Sequence, residues 1–415
     1  MTPIEEGESS ALATGHSPLA TPSGPLSGVR VLDLSRVLAG PWATQMLADL
    51  GAEVIKIERP GVGDDTRAWG PPFTTKVDGS KGDAAYFLCA NRGKKSVELD
   101  LATPAGADII RELTRTCDVV VENFKTGGLK KYGLDHASLA AINPKLVYCS
   151  ITGFGQDGPD AHRAGYDYMI QAMGGLMSIT GQPDGAAGAE PMKVGVAVVD
   201  LFTGLYASNA ILAALMHARA TGQGQHIDIA LFDVQAAMLA NQATNWFVSG
   251  KAPTRMGNAH PNLAPYQPFP CTDGMVVIAV GNDGQFRALA EALGAPGLGA
   301  DPRFLTNALR IEHRAVMTAE LSALTAGHTM HSLMAALETA GVPCGPVNTV
   351  DQVFDEPQAK HRGLEVAQDR ADLLAPVRTV ASPIRMSVTP VAYDRAPPAL
   401  GADTDDVLGS LRANP

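Results

Sequence analysis

The chain has 415 residues, 45% of them hydrophobic and 18% charged, which provides for a sizeable core and, at ordinary domain size, for two domains. Its net charge of -11 excludes a general nucleic-acid binder, because no excess of Lys or Arg is present to neutralise a phosphate backbone. The five cysteines (Cys89, Cys117, Cys149, Cys271 and Cys344) stand far apart without a Cys-x-x-Cys pair, so neither a metal site nor a disulfide framework is expected.

The N-terminal stretch MTPIEEGESSALATGHSPLATPSGPLSG carries acidic residues where a signal peptide needs basic ones, and no apolar region follows. It reads as a disordered leader over 1–25. No run approaches the roughly 20 apolar residues of a membrane span, so a cytoplasmic protein without membrane contact is expected.

From Gly28 the pattern alternates. GVRVLDLS reads as a strand, AGPWATQMLADLGA as a helix started near Pro41 and stopped at Gly51, and EVIKIE as a second strand, together a βαβ unit. SVELDL, DVVVENF and LVYCSITGF are further apolar strands, alternating with the helical PAGADIIRELTRT and HASLAAI. This predicts an α/β fold with a mainly parallel sheet, in which ligands bind beyond the carboxyl ends of the strands. The first turn, SRVLAGP, lacks G-x-G-x-x-G, and NRGKKS lacks the upstream glycine of a phosphate-binding P-loop, which disfavours nicotinamide and nucleoside-triphosphate enzymes.

A long helix is predicted after Asp200, then the strand QHIDIALF and one more helix through QAAMLANQATNWFVSG. Around Lys251 the texture becomes Pro- and Asn-rich, followed by the strand MVVIAVG and two helical stretches, which reads as a smaller domain ending before about Gly341. The tail, with its RAPPAL turn and last helix, is free to return to the first domain.

Candidate chemistry is sparse. Asp200 fits an N-cap, the reading composition favours, because an Asp side chain accepts hydrogen bonds from unpaired first-turn amides; it could also act as a nucleophile, and periodicity does not separate the two. Arg59, Arg92, Lys94, Lys95, Lys125, Lys130 and Lys131 lie around predicted strand ends, as one anionic pocket or as ordinary surface charge. Asp167 is a second candidate cap, with Tyr166 as a packed aromatic. His260, in GNAHPNLAPY, is a base or an exposed loop histidine.

Taken in order, LSRVLAGPWATQMLADLGAEVIKIERPGVGDDTR, NRGKKSVELDL, VVVENFKTGGLKKYGL, SITGFGQDGP, AGYDYMIQAMGGLMSITG, VVDLFTGLYASNAILAAL and TGQGQHIDIALFD closely resemble the class III CoA-transferase family, which includes formyl-CoA and carnitine CoA-transferases. The resemblance runs from about Pro25 to PPALGADTDDVL. Within the family, GDDTRAWGPPF, YCSITGFGQ and MGNAHPNLAPYQPF look most like succinyl-CoA-dependent dicarboxylate enzymes, with succinyl-CoA:glutarate transferases as near relatives.

The resemblance implies a Rossmann-like large domain from 26–225 and 342–415, linkers and a small α+β domain over 226–341, and an interlocked homodimer. It implies that Asp200 attacks the donor thioester, passing through an aspartyl anhydride and an aspartyl-CoA thioester. Asp167 falls where formyl-CoA transferase has an assisting glutamate. CoA contacts are implied at Leu38, Ala39, Arg59, Leu99, Asp100, Leu101, Ala102, Asn123, Phe124, Lys125, Lys131, Ala164, Gly165 and Tyr166. No tightly bound cofactor is implied; acyl-CoA and a carboxylic acid, dicarboxylic in the nearest branch, are the implied substrates.

Two departures stand out. Leu38 replaces a glutamine, and the family's glycine-rich loop is not reproduced, with MGNAHPN as the segment nearest to it, so no role is assigned to Asn258 or His260. For the far carboxylate of a dicarboxylate, Arg67, Arg163 and Arg255 are candidates that no spacing argument separates. The rival readings are a 2-methylacyl-CoA racemase, disfavoured because Tyr166 stands where racemases carry histidine before the aspartate, and a non-catalytic CoA-binding protein, disfavoured by the intact Asp200.

Overall fold

The computed structural model describes residues 24–413, so the expected leader lies outside the described residues except for its last two. Leu26 is already buried, and its amide donates to the Leu50 carbonyl at 2.9 Å. The large sheet is built from β1 (Arg30–Asp33), β2 (Glu53–Glu58), β3 (Lys94–Glu98), β4 (Val119–Glu122), β5 (Val147–Thr152) and β6 (Gln225–Ala230). The order is β3-β2-β1-β4-β5-β6 and every pairing is parallel. The order reverses between β1 and β4, where two crossover connections leave a crevice at the strands' carboxyl ends.

Continuous apolar strands produce this sheet because both faces are covered. Val119 and Val121 pack with Val31, Val54, Val147, Cys149 and Ile151 on one face, against α1 (Ala39–Asp49) and α5 (Val198–Thr221). Val120 and Tyr148 join Leu32, Ile55 and Val97 on the other, against α2 (Pro104–Thr114) and α3 (His136–Ile142). Between β5 and α5 lies α4 (Asp167–Met173).

α5 is, among the described residues, the one helix long and apolar enough to cross a membrane by length and composition, which the sequence reading did not anticipate. It packs against α1 and β5 as a core helix. Gly204 permits the approach: a Cβ there would stand 2.9 Å from the Ala39 carbonyl oxygen.

The single helix expected after β6 is broken into α6 (Leu231–Met238) and α7 (Ala240–Ser249), with Ala240 at φ +42. A second sheet holds β7 (Tyr266–Cys271), β8 (Gly274–Ala279) and β9 (Cys344–Pro346), antiparallel in the order β9-β8-β7, over a core of its own around Phe269, Ile278, Phe286, Leu321 and Leu337. The expected cut at 225/226 falls inside β6, and the expected return at 342 precedes β9, a strand of the second sheet. The C-terminal helix Thr404–Ala413 then docks on β3: the Glu98 amide donates to Thr404 Oγ1 at 3.0 Å, and the Ser96 amide donates to Asp403 Oδ2 at 2.9 Å.

Charges buried under the crevice are paired. Lys56 Nζ lies 2.9 Å from Asp64 Oδ2 and donates to the Ser35 carbonyl at 2.8 Å; Lys94 Nζ lies 3.1 Å from Asp33 Oδ2. Burial pushes Asp64 up, yet Lys56 and the Thr66 donors outweigh it and hold the carboxyl at about 2. Burial outweighs Asp33 at Lys94 and brings that ammonium down to about 8.

Removing one member of such a pair strands the other without solvent. Lys56→Met is expected to lower stability by about 3–5 kcal/mol in urea unfolding at neutral pH. A loss under about 1 kcal/mol contradicts this account of the pair.

Candidate active site

A cavity of about 540 Å³ opens at the switch point between β1 and β4. Its walls are the turn after β1 (Arg36 to Ala39), the loop after β2 (Arg59, Gly63, Asp64), the turn after β3 (Leu99 to Ala102) and the turn after β4 (Asn123 to Thr126), completed by Lys131, Ile151 to Gly153, Ala164 to Tyr166, Leu231 and Asp200. Every CoA-contact position expected from the resemblance, from Leu38 to Tyr166, lines it.

The first wall is tightly fixed. Val37 adopts φ +73, a left-handed conformation that a β-branched residue avoids. Hydrogen bonds surround it: Asp64 accepts from the Val37 amide at 3.3 Å, and Lys56 donates to the Ser35 carbonyl. Asn123 Oδ1 accepts from the Arg36 amide at 2.9 Å, while its Nδ2 donates to the Arg36 carbonyl at 2.7 Å. The buried Lys56–Asp64 pair therefore shapes the cavity as well as the core. Opposite, Gly153 and Gly165 touch backbone to backbone; a Cβ on Gly153 would lie 2.6 Å from the Gly165 Cα.

The predicted cations divide by burial. Arg59, Lys125 and Lys131 are exposed and line the cavity. Arg92 is committed to Asp49 at 2.6 Å, Lys94 to Asp33, and Lys95 to Glu53 at 3.0 Å and Asp406 at 3.1 Å, so the single-pocket reading fails for these three; Lys130 is exposed and outside the cavity lining. The sequence reading missed Arg36, also in the lining. Its guanidinium lies 5.3 Å from the Phe124 ring centre and shares Asp65 with Arg59, at 3.2 Å and 3.0 Å. A basic residue one turn from the strand end was the available signal.

Of the three arginines considered for a far carboxylate, Arg67 is buried and taken by Glu58 at 2.7 Å and Asp83 at 2.9 Å, and Arg255 is paired with Asp184 outside the lining. Arg163 also has a carboxylate partner, Asp160 at 3.1 Å, but that pair is solvent-exposed, and of the three only Arg163 is an exposed arginine in the cavity wall, stacked 4.9 Å from the Phe154 ring centre. His260 is outside it as well: Nδ1 accepts the amides of Asn262 and Leu263 at 3.1 Å each, which makes it a loop clamp. Tyr166, expected as a packed aromatic, is exposed at the cavity wall.

Asp200 is not an N-cap. It is the third residue of α5, whose N-cap position is Ala197. The capping is done from another helix: Asp167 Oδ1 accepts the Val199 amide at 2.8 Å and the Asp200 amide at 3.4 Å. Asp167 caps a helix, as expected, but not its own; sequence spacing does not reveal a cap supplied across space.

Asp200 has no cationic partner among the described residues. Burial, with the neighbouring Asp167 carboxylate second, pushes it up to about 7. The half-buried Tyr86 is pushed up to about 12, by burial first and then by Asp200. Near neutral pH Asp200 is thus divided between acid and carboxylate, and its carboxylate is more basic than an ordinary one. A half-buried basic carboxylate beside exposed cations suits covalent group transfer from a phosphate-bearing carrier.

Residues 26–404 match the model of CoA-transferase family III, and the chain belongs to that family. It is 54% identical over 389 residues to the succinate–glutarate CoA-transferase of Agrobacterium fabrum, covering 93% of this chain and 96% of that protein. It is 44% identical over 384 residues to the succinyl-CoA:glutarate CoA-transferase of Mus musculus, covering 92% of this chain and 86% of that one. The crystal structure of a CAIB/BAIF family protein from Brucella suis aligns with a TM-score of 0.83 at 51% identity, covering 94% of this chain and 100% of that one.

An Asp carboxyl raised from its ordinary 3.8 to about 7 keeps a proton in the folded state that the unfolded chain releases. Its contribution to stability is complete below about pH 4 and is lost as pH rises through about 7. Asp200→Asn stays neutral, so its gain in Tm over the parent should be smallest near pH 4 and largest above about pH 7. Melting curves across that range check this; a gain that does not grow with pH contradicts it.

Proposed function

We propose that this protein moves CoA from succinyl-CoA to glutarate or a closely related dicarboxylate, with Asp200 as the covalent carrier. The observation that carries the reading is Asp200, without a cation, in the wall of the same cavity as Arg59, Asn123, Lys125 and Lys131. The substrates named for the relatives in Agrobacterium fabrum and Mus musculus support the choice of acids.

In this reading the phosphates of CoA meet Arg36, Arg59, Lys125 and Lys131, which explains local cations in an acidic protein. The Asp200 carboxylate attacks the succinyl thioester carbonyl; the C–S bond breaks, giving a succinyl-aspartyl anhydride and CoA thiolate. The thiolate attacks the aspartyl carbonyl, leaving aspartyl-CoA thioester and releasing succinate, which carries away an oxygen that belonged to Asp200. The acceptor carboxylate attacks this thioester, and the returning thiolate takes the acceptor's acyl group, restoring Asp200 with one acceptor oxygen. Each attack forms an oxyanion, for which α1 offers first-turn amides: its N-cap residue, Leu38, makes no side-chain cap and lines the cavity with Ala39. A racemase would place a second base opposite the α-carbon, and the groups facing Asp200 are Asp167 and Tyr86, not a histidine.

The far carboxylate is assigned to Arg163. Arg163→Leu should lower the preference for glutarate over pentanoate, its monocarboxylate analogue, by about 10-fold or more in kcat/KM at saturating donor, the scale of a charged hydrogen bond. An unchanged ratio rejects the assignment.

The working unit is an interlocked homodimer in this reading. A single chain leaves Phe202, Leu205, Tyr206 and Met216 of α5 and Trp246, Phe247 and Val248 of α7 exposed, an apolar surface of the kind a partner covers. For the function itself, the protein is incubated with succinyl-CoA and a panel of carboxylic acids, and the new CoA esters are identified by mass. Glutaryl-CoA or a related dicarboxylyl-CoA supports the reading. Solvent-dependent loss of succinyl-CoA with no new ester contradicts it.

A further inference from the structure

Gln171 is fully buried on α4, one turn after Asp167. Its Nε2 donates to Asp167 Oδ2 at 2.7 Å, and its Oε1 accepts the Val194 amide at 2.9 Å. The other oxygen of Asp167 receives the amides of Val199 and Asp200. One amide side chain thus joins three pieces of chain: α4, the segment that leads into α5, and, through Asp167, the first turn of α5.

With no side-chain cap from Ala197, the start of this 24-residue core helix depends on a carboxylate from a neighbouring element. That carboxylate has one oxygen on the helix amides and the other on Gln171, so its orientation is set from both ends. We infer that Gln171 is a positioning residue for acyl transfer: through Asp167 it fixes the backbone of Asp200 and holds a second carboxylate beside the nucleophile. This rests on the reading of Asp200 as the covalent carrier.

The consequence is electrostatic as well as geometric. The titratable groups facing Asp200 are Asp167 from α4 and Tyr86 from the segment before β3. α1, packed along α5, brings only Asp49 at its far end, tied to Arg92; α6 brings Asp233 and β6 Asp228, both exposed, and β5 brings the buried Cys149. Releasing Asp167 from Gln171 lets its charge swing away from Asp200, whose carboxyl then titrates lower and becomes a weaker nucleophile.

Two variants test this. Gln171→Met keeps the length and fills the space but donates nothing. It should lower kcat by about 10-fold, leave KM for succinyl-CoA within about 2-fold, and move the acid limb of the kcat profile to lower pH by about half a unit or more. Gln171→Glu can donate to Asp167 only while protonated, so it should be active on the acid side and acquire an alkaline limb that the parent lacks. A role confined to packing moves neither limb, even where Tm and rate fall. Profiles of the parent shape in the variants overturn the inference; where Gln171→Met does not fold, Gln171→Glu alone decides. Detection of an acyl adduct on Asp200 in the parent keeps the two claims separate. With the adduct present and the limbs unmoved only the positioning role fails, and with no adduct both fail.

Discussion

A carboxylate partly withdrawn from water without a cation is held against its own solvation energy, and the active end of this molecule is arranged around one such group. Among the buried acids around the large sheet, Asp33 pairs with Lys94, Glu58 with Arg67, Asp64 with Lys56 and Asp49 with Arg92, while Glu122, also without a cation, is held by the Phe124 amide at 2.8 Å. Asp200 has instead a second carboxylate nearby and burial around it, and both push its ionisation toward neutrality. That is unfavourable for stability and favourable for a nucleophile, whose strength rises with its basicity.

The fold supplies the means to hold it there. One face of α5 is packed against α1 and the sheet, and that packing leaves its first turn at the rim of the switch-point crevice. The same crevice receives the turns after β1, β2, β3 and β4. Lys56 and Asp64, buried below, also fix the Ser35 to Val37 turn in a conformation that Val37 would not adopt alone. Core stability and cavity shape are therefore carried by some of the same bonds.

Much of this was legible in the sequence. The parallel strands and their helices follow from apolar runs of strand length alternating with helical periodicity, and those patterns arise because both sheet faces are covered; the tail's return was implied by the family resemblance. The motifs placed the cavity residues because turns at strand ends are local: Leu38, Leu99 to Ala102 and Asn123 to Lys125 lie where their own strands end. What was not legible depends on contacts across space. Asp200 looked like a cap because Asp before a helix usually is one, and only the fold shows Asp167 in that role from α4. Arg92, Lys94 and Lys95 looked like Arg59 and Lys131, since sequence does not tell which cation meets a buried acid. The break at Ala240 and the late strand Cys344–Pro346 are likewise set by tertiary packing.

The central claim is that Asp200 carries the acyl group and then CoA. Its most direct test is turnover with glutarate labelled with oxygen-18 in its carboxylates, followed by mass analysis of the peptide containing Asp200. Passage through an aspartyl anhydride and aspartyl-CoA delivers acceptor oxygen to the Asp200 carboxyl, so that peptide gains the label in proportion to turnover. Formation of glutaryl-CoA with Asp200 unlabelled would mean that the acyl groups exchange without it.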